Sequence, residues 1–508
     1  MNKDFSNKYN FSKSIPTYLG QKGYTVLKKD LSEQELTFIK KELTVKPFIQ
    51  GAPPGSNEVS YPVYRESAQK IYLPRFYGQN NFGHPKETKI PEGIDIDIPF
   101  LGSLRPNQIP VVEKYMSEIG KGGSGGFLEL GCAFGKTILS LYLCSQLKKK
   151  TLIIVHKEFL MNQWIERIQQ FLPTAKVGKI QGKVIDIEGK DIVIGMLQSL
   201  SMKEYDGNIF DSFGLAIFDE MHHISSEVFS RILFKLVTKY VIGLSATMER
   251  KDGTSYVFRM FLGEVVFKGT REKDEYDVIV RAIEYKTNDE DFNKIALDYR
   301  GNVQYSTMIS KLCVFNPRTE FILKILQDML VEKPDQQIII LAHNRNVLTY
   351  IHDAIVSRNI SSCGFYVGGM KEMALKESES KKVVVASYAM AAEALDIPTL
   401  GSLIMCSPKS EIEQVVGRIL RKKDGKKIIV DIMDSHQCFK NQFNKRKAFY
   451  KKQNYKIIKS SNFKYSTNFN NWEILFESNS CFKSIDDDDV DDVDILSKSG
   501  CLIKYKKK

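Results

Sequence analysis

The chain has 508 residues, more than one compact core accommodates, so two or three domains are expected. Its 43% apolar share is that of an ordinary globular protein, and no run approaches the roughly 20 apolar residues of a membrane helix, which excludes a membrane partner on this reading. The net charge of +12 favours a polyanionic partner, while eight scattered cysteines without a C-x-x-C pair argue against a zinc site or disulfide framework and for a reducing compartment.

The opening MNKDFSNKYNFSKS is polar and Lys/Asn-rich and is not expected to act as a secretory signal. Residues 1–95 are expected to form an N-terminal accessory domain. Within it, LSEQELTFIKKELTV (31–45) spaces Leu31, Leu36, Ile39 and Leu43 as a helix does, and GAPPGSNEVSYPVYR reads as loop or short strands. The segment IYLPRFYGQNNFG (71–83) mixes aromatic and basic residues, and could either touch nucleic acid or pack the accessory domain on its neighbour.

Over 96–265 short apolar runs (GFLELG, TLIIVH, DIVIGM, GLAIFDE) alternate with amphipathic segments, the pattern of a parallel sheet with helices on both faces. Residues 266–310 are charged and irregular, expected as a linker and the edge of the next lobe. A second α/β pattern fills 311–435, with the helix RTEFILKILQDML and the strands QIIILAH, KVVVAS, SLIMCS and KIIVDIM. The extension 436–508 begins basic and aromatic (439–455), where stacking on bases and packing on the second lobe are both open. It then turns acidic at DDDDVDDVD and ends in KYKKK. The expected fold class is therefore α/β, with the same architecture used twice.

Three motifs carry chemistry. GCAFGKT (131–137) lies between a strand and a helix, where chemistry in such sheets gathers. Its backbone N–H groups, from Gly131, Cys132, Ala133, Phe134 and Gly135, can cradle phosphates, with Lys136 neutralising their charge and the Thr137 hydroxyl ligating Mg²⁺. FDEMHH (218–223) ends a buried strand in Asp219 and Glu220. A buried carboxylate pair is costly unless it meets a cation, so Asp219 is the expected Mg²⁺ partner and Glu220 the residue expected to orient or deprotonate the attacking water. His222 is a candidate relay between lobes, with a solvated histidine as the plainer reading. QVVGRILR (414–421) sends Arg418 and Arg421 from one helix face, suited to charge developing on a γ-phosphate, or else to an ordinary basic surface. Because this motif belongs to the second lobe and the other two to the first, hydrolysis requires the lobes to close.

Together these motifs make the chain resemble a superfamily 2 helicase over roughly residues 100–450. LRPNQ (104–108) resembles the segment that holds adenine, IIVHKEFLMNQW (153–164) and IGMLQSLS (194–201) the first-lobe strand contacts, GLSAT (243–247) the coupling motif, and VVVASYAMAAEALDIP (383–398) the second-lobe motif before the arginine helix. DEMHH, the continuation ATMERKDG and the N-terminal domain resemble the branch of XPB-type helicases, phage recombination helicases and transcript-release helicases of large cytoplasmic DNA viruses. The resemblance implies two RecA-like lobes and ATP with Mg²⁺ as cofactors. It implies that Arg105 and Gln108 hold the base, that Gln414 senses the γ-phosphate, and that Ser245, Ala246 and Thr247 couple hydrolysis to strand movement. Leu130 replaces the usual first glycine, and Ala133 and Ala394 stand where relatives often carry glycine; both alanines bear on turnover rate more than on binding.

The expected activity is an ATP-dependent helicase or translocase, DNA being favoured over RNA and 3′ to 5′ polarity implied by the family. Viral transcription, repair or recombination is the expected setting, in host cytoplasm or virion if viral and otherwise in nucleus or cytoplasm. Transcription or repair machinery would be its partner, and a monomer is favoured. The alternatives are an RNA helicase acting on viral transcripts, a catalytically weak remodelling factor, and the motor part of a restriction or recombination complex.

Overall fold

The computed structural model describes residues 11, 15–48, 60–131, 134–206, 208–220, 226–246, 252–269, 278–393, 395, 397–419 and 426–477. Two eight-stranded sheets dominate it. Across the first, the strands run Val184–Ile185, Val177–Gln181, Ile192–Met196, Thr151–Val155, Leu215–Phe218, Tyr240–Ser245, Gly125–Leu130 and Val265–Gly269. Every pairing is parallel except the outermost one, between Val177–Gln181 and Val184–Ile185. The central strands are buried on both faces, which is why they read as unbroken apolar runs such as TLIIV and LAIF.

Across the second sheet the order is Cys363–Tyr366, Val383–Ser387, Gln337–Ala342, Leu400–Met405, Lys427–Asp434, Val278–Tyr285, Lys456–Ser461 and Glu473–Phe476, with only the last pairing antiparallel. Separate apolar clusters cover its two faces. The twice-used parallel α/β architecture is thus the observed one.

The lobe boundaries differ from those expected. The first sheet extends to Gly269, and the segment expected as a linker and the edge of the second lobe carries Val278–Tyr285, which lies inside the second sheet with a partner strand on each side. The strand escapes notice because Arg281 and Glu284 interrupt it. Arg281 is nevertheless buried, held bidentately by Glu332 at 2.6 and 2.7 Å with Phe469 against its guanidinium. Nor is the chain after 435 an appendage as far as 477. Helix Gln437–Lys452 buries Phe439, Phe443, Arg446 and Tyr450, and Lys456–Ser461 and Glu473–Phe476 complete the sheet. Of the two readings of 439–455, packing on the second lobe is what these side chains do. The acidic run and the KYKKK end lie outside the described residues.

In the accessory region a five-stranded sheet packs with helices Glu33–Glu42 and Arg75–Phe82, the first started by a capping box between Ser32 and Glu35. Its core runs on into the first lobe as one cluster that includes Tyr24, Phe82, Phe258 and Phe261. The ambiguous segment 71–83 does the packing: Arg75 donates from Nη1 to the Thr238 carbonyl at 3.0 Å, and Gly78 lies against the Tyr24 ring, which a β-carbon there would strike.

Candidate active site

The carboxyl ends of the first sheet's strands gather the predicted groups. Strand Gly125–Leu130 leads through Gly131 to Phe134 and Gly135, and helix Lys136–Leu147 starts immediately afterwards. Gly135 has a φ of 86° and a ψ of 38°, a left-handed conformation open to glycine at no steric cost. A β-carbon there would also stand 2.6 Å from Gln108 Nε2. The first N–H groups of the helix have no partners within it, so its start favours an anion. Thr137 sits in this first turn, half-buried. Cys132 and Ala133 lie outside the described residues.

Lys136 reaches across the site to Glu220, its Nζ 2.9 Å from Oε1, and both side chains are mostly covered. Asp219 continues the pairing of its strand, donating its N–H to the Ile154 carbonyl at 3.1 Å, while its Oδ2 accepts from Trp164 Nε1 at 2.9 Å. Glu220 then turns the chain with a φ of 48°, an uncommon value for a residue with a side chain. Burial pushes the Asp219 carboxyl up to about 6 and the Glu220 charge adds to the rise, with Lys136 and Trp164 opposing them. A desolvated carboxylate beside a second one gains most from a divalent cation, so this pair fits the Mg²⁺ role expected of it. The hold of Trp164 on Asp219 has no counterpart among the sequence motifs. The signal was the place of Trp164 in IIVHKEFLMNQW, but a contact 55 residues away in the chain is not visible in a linear pattern.

Gln108 is 1% exposed and its amide is engaged twice: Oε1 accepts from the Arg105 N–H and Nε2 donates to the Phe134 carbonyl, both at 2.9 Å. It therefore braces the loop before helix Lys136–Leu147 directly, at Phe134, while Arg105 is exposed beside it. Ser245 is buried at the end of strand Tyr240–Ser245, with Ala246 just after it. Thr247, His222 and His223 lie outside the described residues, as does Ala394.

In the second lobe, helix Glu413–Ile419 carries Gln414 half-buried and packs Val415 and Val416 into the core. The backbone of Arg418 is in this helix, but its side chain and all of Arg421 lie outside what is described. The lobes meet at helix Glu158–Phe171, whose Asn162 Nδ2 donates to Glu372 Oε2 at 2.8 Å and whose Glu166 pairs with Lys376 at 2.9 Å. Phe159 packs against the cores of both lobes. The same helix holds Asp219 through Trp164, so one rigid element touches both the carboxylate pair and the opposite lobe.

A family model described as the res subunit of type III restriction enzymes matches residues 101–250. The chain is 34% identical over 459 residues to a protein of Acanthamoeba polyphaga mimivirus whose proposed name is ATP-dependent RNA helicase, covering 88% of this chain and 87% of that one. It is 26% identical over 404 residues to a similarly named protein of African swine fever virus, covering 74% and 78%. Among solved structures, a fragment assigned to an HsdR subunit of a type I restriction enzyme from Vibrio vulnificus has a TM-score of 0.51 at 14% identity, covering 72% of this chain and 70% of that one, a likeness of fold alone. With extended identity to viral helicases and two parallel-sheet lobes, the chain belongs to the superfamily 2 helicases, enzymes that hydrolyse ATP and act on nucleic acid.

Proposed function

We propose that this helicase is a 3′-to-5′ motor that moves along or unwinds a DNA duplex in viral transcription, at the release or termination of transcripts, or in repair or recombination. The observation that carries its chemistry is the 2.9 Å approach of Lys136 to Glu220 beside a buried Asp219 and a left-handed Gly135. Bound Mg·ATP supplies the scissile γ-phosphate with part of its charge already neutralised. Gly131, Cys132, Ala133, Phe134 and Gly135 present backbone N–H groups to the phosphates, and Lys136 exchanges Glu220 for them. Thr137 and Asp219 would hold the Mg²⁺, and Glu220, released from Lys136, would orient the attacking water. Arg105 and Gln108 hold the base side of the nucleotide, with Gln108 also fixing the loop.

The second lobe contributes Gln414, Arg418 and Arg421, which act on closure. Ser245, Ala246, Thr247 and His222 transmit the change to the lobe interface. The few polar contacts between Glu158–Phe171 and Glu372–Glu379 are exposed and individually weak, which suits surfaces that part and re-form each cycle.

A second reading, favoured by the proposed names of the mimivirus and African swine fever virus relatives, is RNA as the substrate strand. Phosphate contacts distinguish the two poorly. Unwinding assays on DNA–DNA, DNA–RNA and RNA–RNA duplexes with either overhang separate them. Faster unwinding of 3′-overhang DNA duplexes is expected. Activity confined to RNA duplexes, or to 5′ overhangs, would overturn the substrate or the polarity.

A further inference from the structure

We infer that Arg446 is a positioning residue for ATP hydrolysis, because it fixes the backbone segment from which the arginine helix projects. This inference rests on the reading that helix Glu413–Ile419 serves the hydrolysis step.

Between strand Leu400–Met405 and that helix the chain runs through residues 406–412 in irregular backbone. Four of its carbonyls accept from side chains of other elements, that of Pro408 from Tyr305 Oη at 3.4 Å and three others at 2.8 Å or less. Arg318 Nη1 donates to the Cys406 carbonyl at 2.8 Å, Tyr388 Oη to that of Ser407 at 2.5 Å, and Arg446 Nη1 to that of Lys409 at 2.8 Å. Both arginines are themselves locked. Arg318 holds Asp434 through Nε and Nη2 at 2.6 and 2.9 Å, and Arg446 holds Asp431 through Nε and Nη2 at 2.8 and 2.7 Å. All four side chains are at most 1% exposed.

The two aspartates belong to one strand, Lys427–Asp434, but serve opposite faces of the sheet. Asp431 shares its face with Ile429 and Met433, and Asp434 shares the other with Val430 and Ile432. The segment before the arginine helix is thus clamped from both sides by guanidinium groups whose planar forks are already committed to a carboxylate. Such a fork delivers its remaining N–H in a fixed direction, which lysine cannot reproduce. Arg446 makes the clamp contact nearest the helix, four residues before Glu413. Displacements of about 1 Å in catalytic groups can lower rates by about two orders of magnitude, so a fixed base for this helix matters to turnover.

The test compares three variants of the full chain by nucleic-acid-stimulated ATPase, ADP affinity and thermal melting. Arg446→Lys keeps a charge on Asp431 but loses the fork to Lys409. Tyr450→Phe loosens the same buried pair by removing the 2.9 Å bond from Tyr450 Oη to Asp431, and leaves the Lys409 contact in place. Arg446→Lys is expected to lower kcat at least tenfold with ADP affinity within twofold of wild type, and Tyr450→Phe to keep kcat within twofold. Equal turnover in the two variants, whether both retained or both lost in proportion to folded protein, would overturn the inference. Arg418→Ala is run alongside. If it retains turnover, the reading of the arginine helix itself fails, whereas loss there with wild-type rates in Arg446→Lys sinks the positioning role alone.

Discussion

Replacing Asp219 with asparagine separates what this carboxylate does for stability from what it does for chemistry. Asp219 is 7% exposed, and its carboxyl is raised from 3.8 to about 6 by burial first and the Glu220 charge second. A raised carboxylate pKa means the ionised form is disfavoured in the folded state. The penalty is absent below the unfolded value near 4 and grows as pH rises, reaching its full size above the folded value near 6. That rise corresponds to about 3 kcal/mol, of which a measured gain of ~1–3 kcal/mol is expected because Glu220 and Lys136 readjust. Asparagine keeps an acceptor for Trp164 Nε1 and removes the charge. Asp219→Asn is therefore expected to stabilise the metal-free first lobe at pH 7.5 while abolishing ATP hydrolysis.

The two tryptophans make this measurable lobe by lobe, since Trp164 is buried in the first core and Trp472 in the second. In a Trp472→Phe background, urea unfolding followed by Trp164 fluorescence in the presence of a chelator reports the first lobe. The gain should shrink between pH 6 and pH 4. A first lobe destabilised by Asp219→Asn at pH 7.5, or a gain that does not change with pH, would refute the reasoning.

Gly135→Ala combines a left-handed backbone with a β-carbon 2.6 Å from Gln108 Nε2. It is expected to weaken ATP binding at least ~10-fold at unchanged far-UV circular dichroism, from about 1–3 kcal/mol of local strain; unchanged affinity in a nucleotide titration would count against the loop geometry. Arg318→Met leaves Asp434 as a lone buried charge and is expected to cost about 3–5 kcal/mol of second-lobe stability, read by Trp472 fluorescence. Arg318→Met with Asp434→Leu should recover most of that loss, and a double variant as unstable as the single one would contradict the pair's account.

The parallel sheets were legible because strands buried on both faces must be apolar throughout, and LAIF or QIIILA can hardly be anything else. The placement of the glycine-containing loop and of the paired carboxylates at strand ends was legible because each motif is contiguous in sequence, with a strand before it. Charge inside the second lobe was harder to read. Arg281, Arg318 and Arg446 look like surface residues in a linear reading, yet each is buried against a carboxylate far along the chain. For the same reason the strand Val278–Tyr285 reads only as linker or lobe edge, and packing of the helix Gln437–Lys452 on the second lobe is only one of two open readings in the sequence. Gln108 shows a subtler gap: the resemblance of LRPNQ implies a role at the nucleotide base, while its geometry ties it to the loop carbonyl of Phe134.

The central claim is that hydrolysis needs groups from both lobes. Its most direct measurement is ATP binding and nucleic-acid-stimulated ATP turnover in Arg418→Ala beside wild type. Binding within a few-fold of wild type with turnover reduced by three orders of magnitude or more, on the order of an arginine finger's contribution, is the predicted result. Turnover near the wild-type rate would show that the first lobe hydrolyses ATP unaided and would contradict the account.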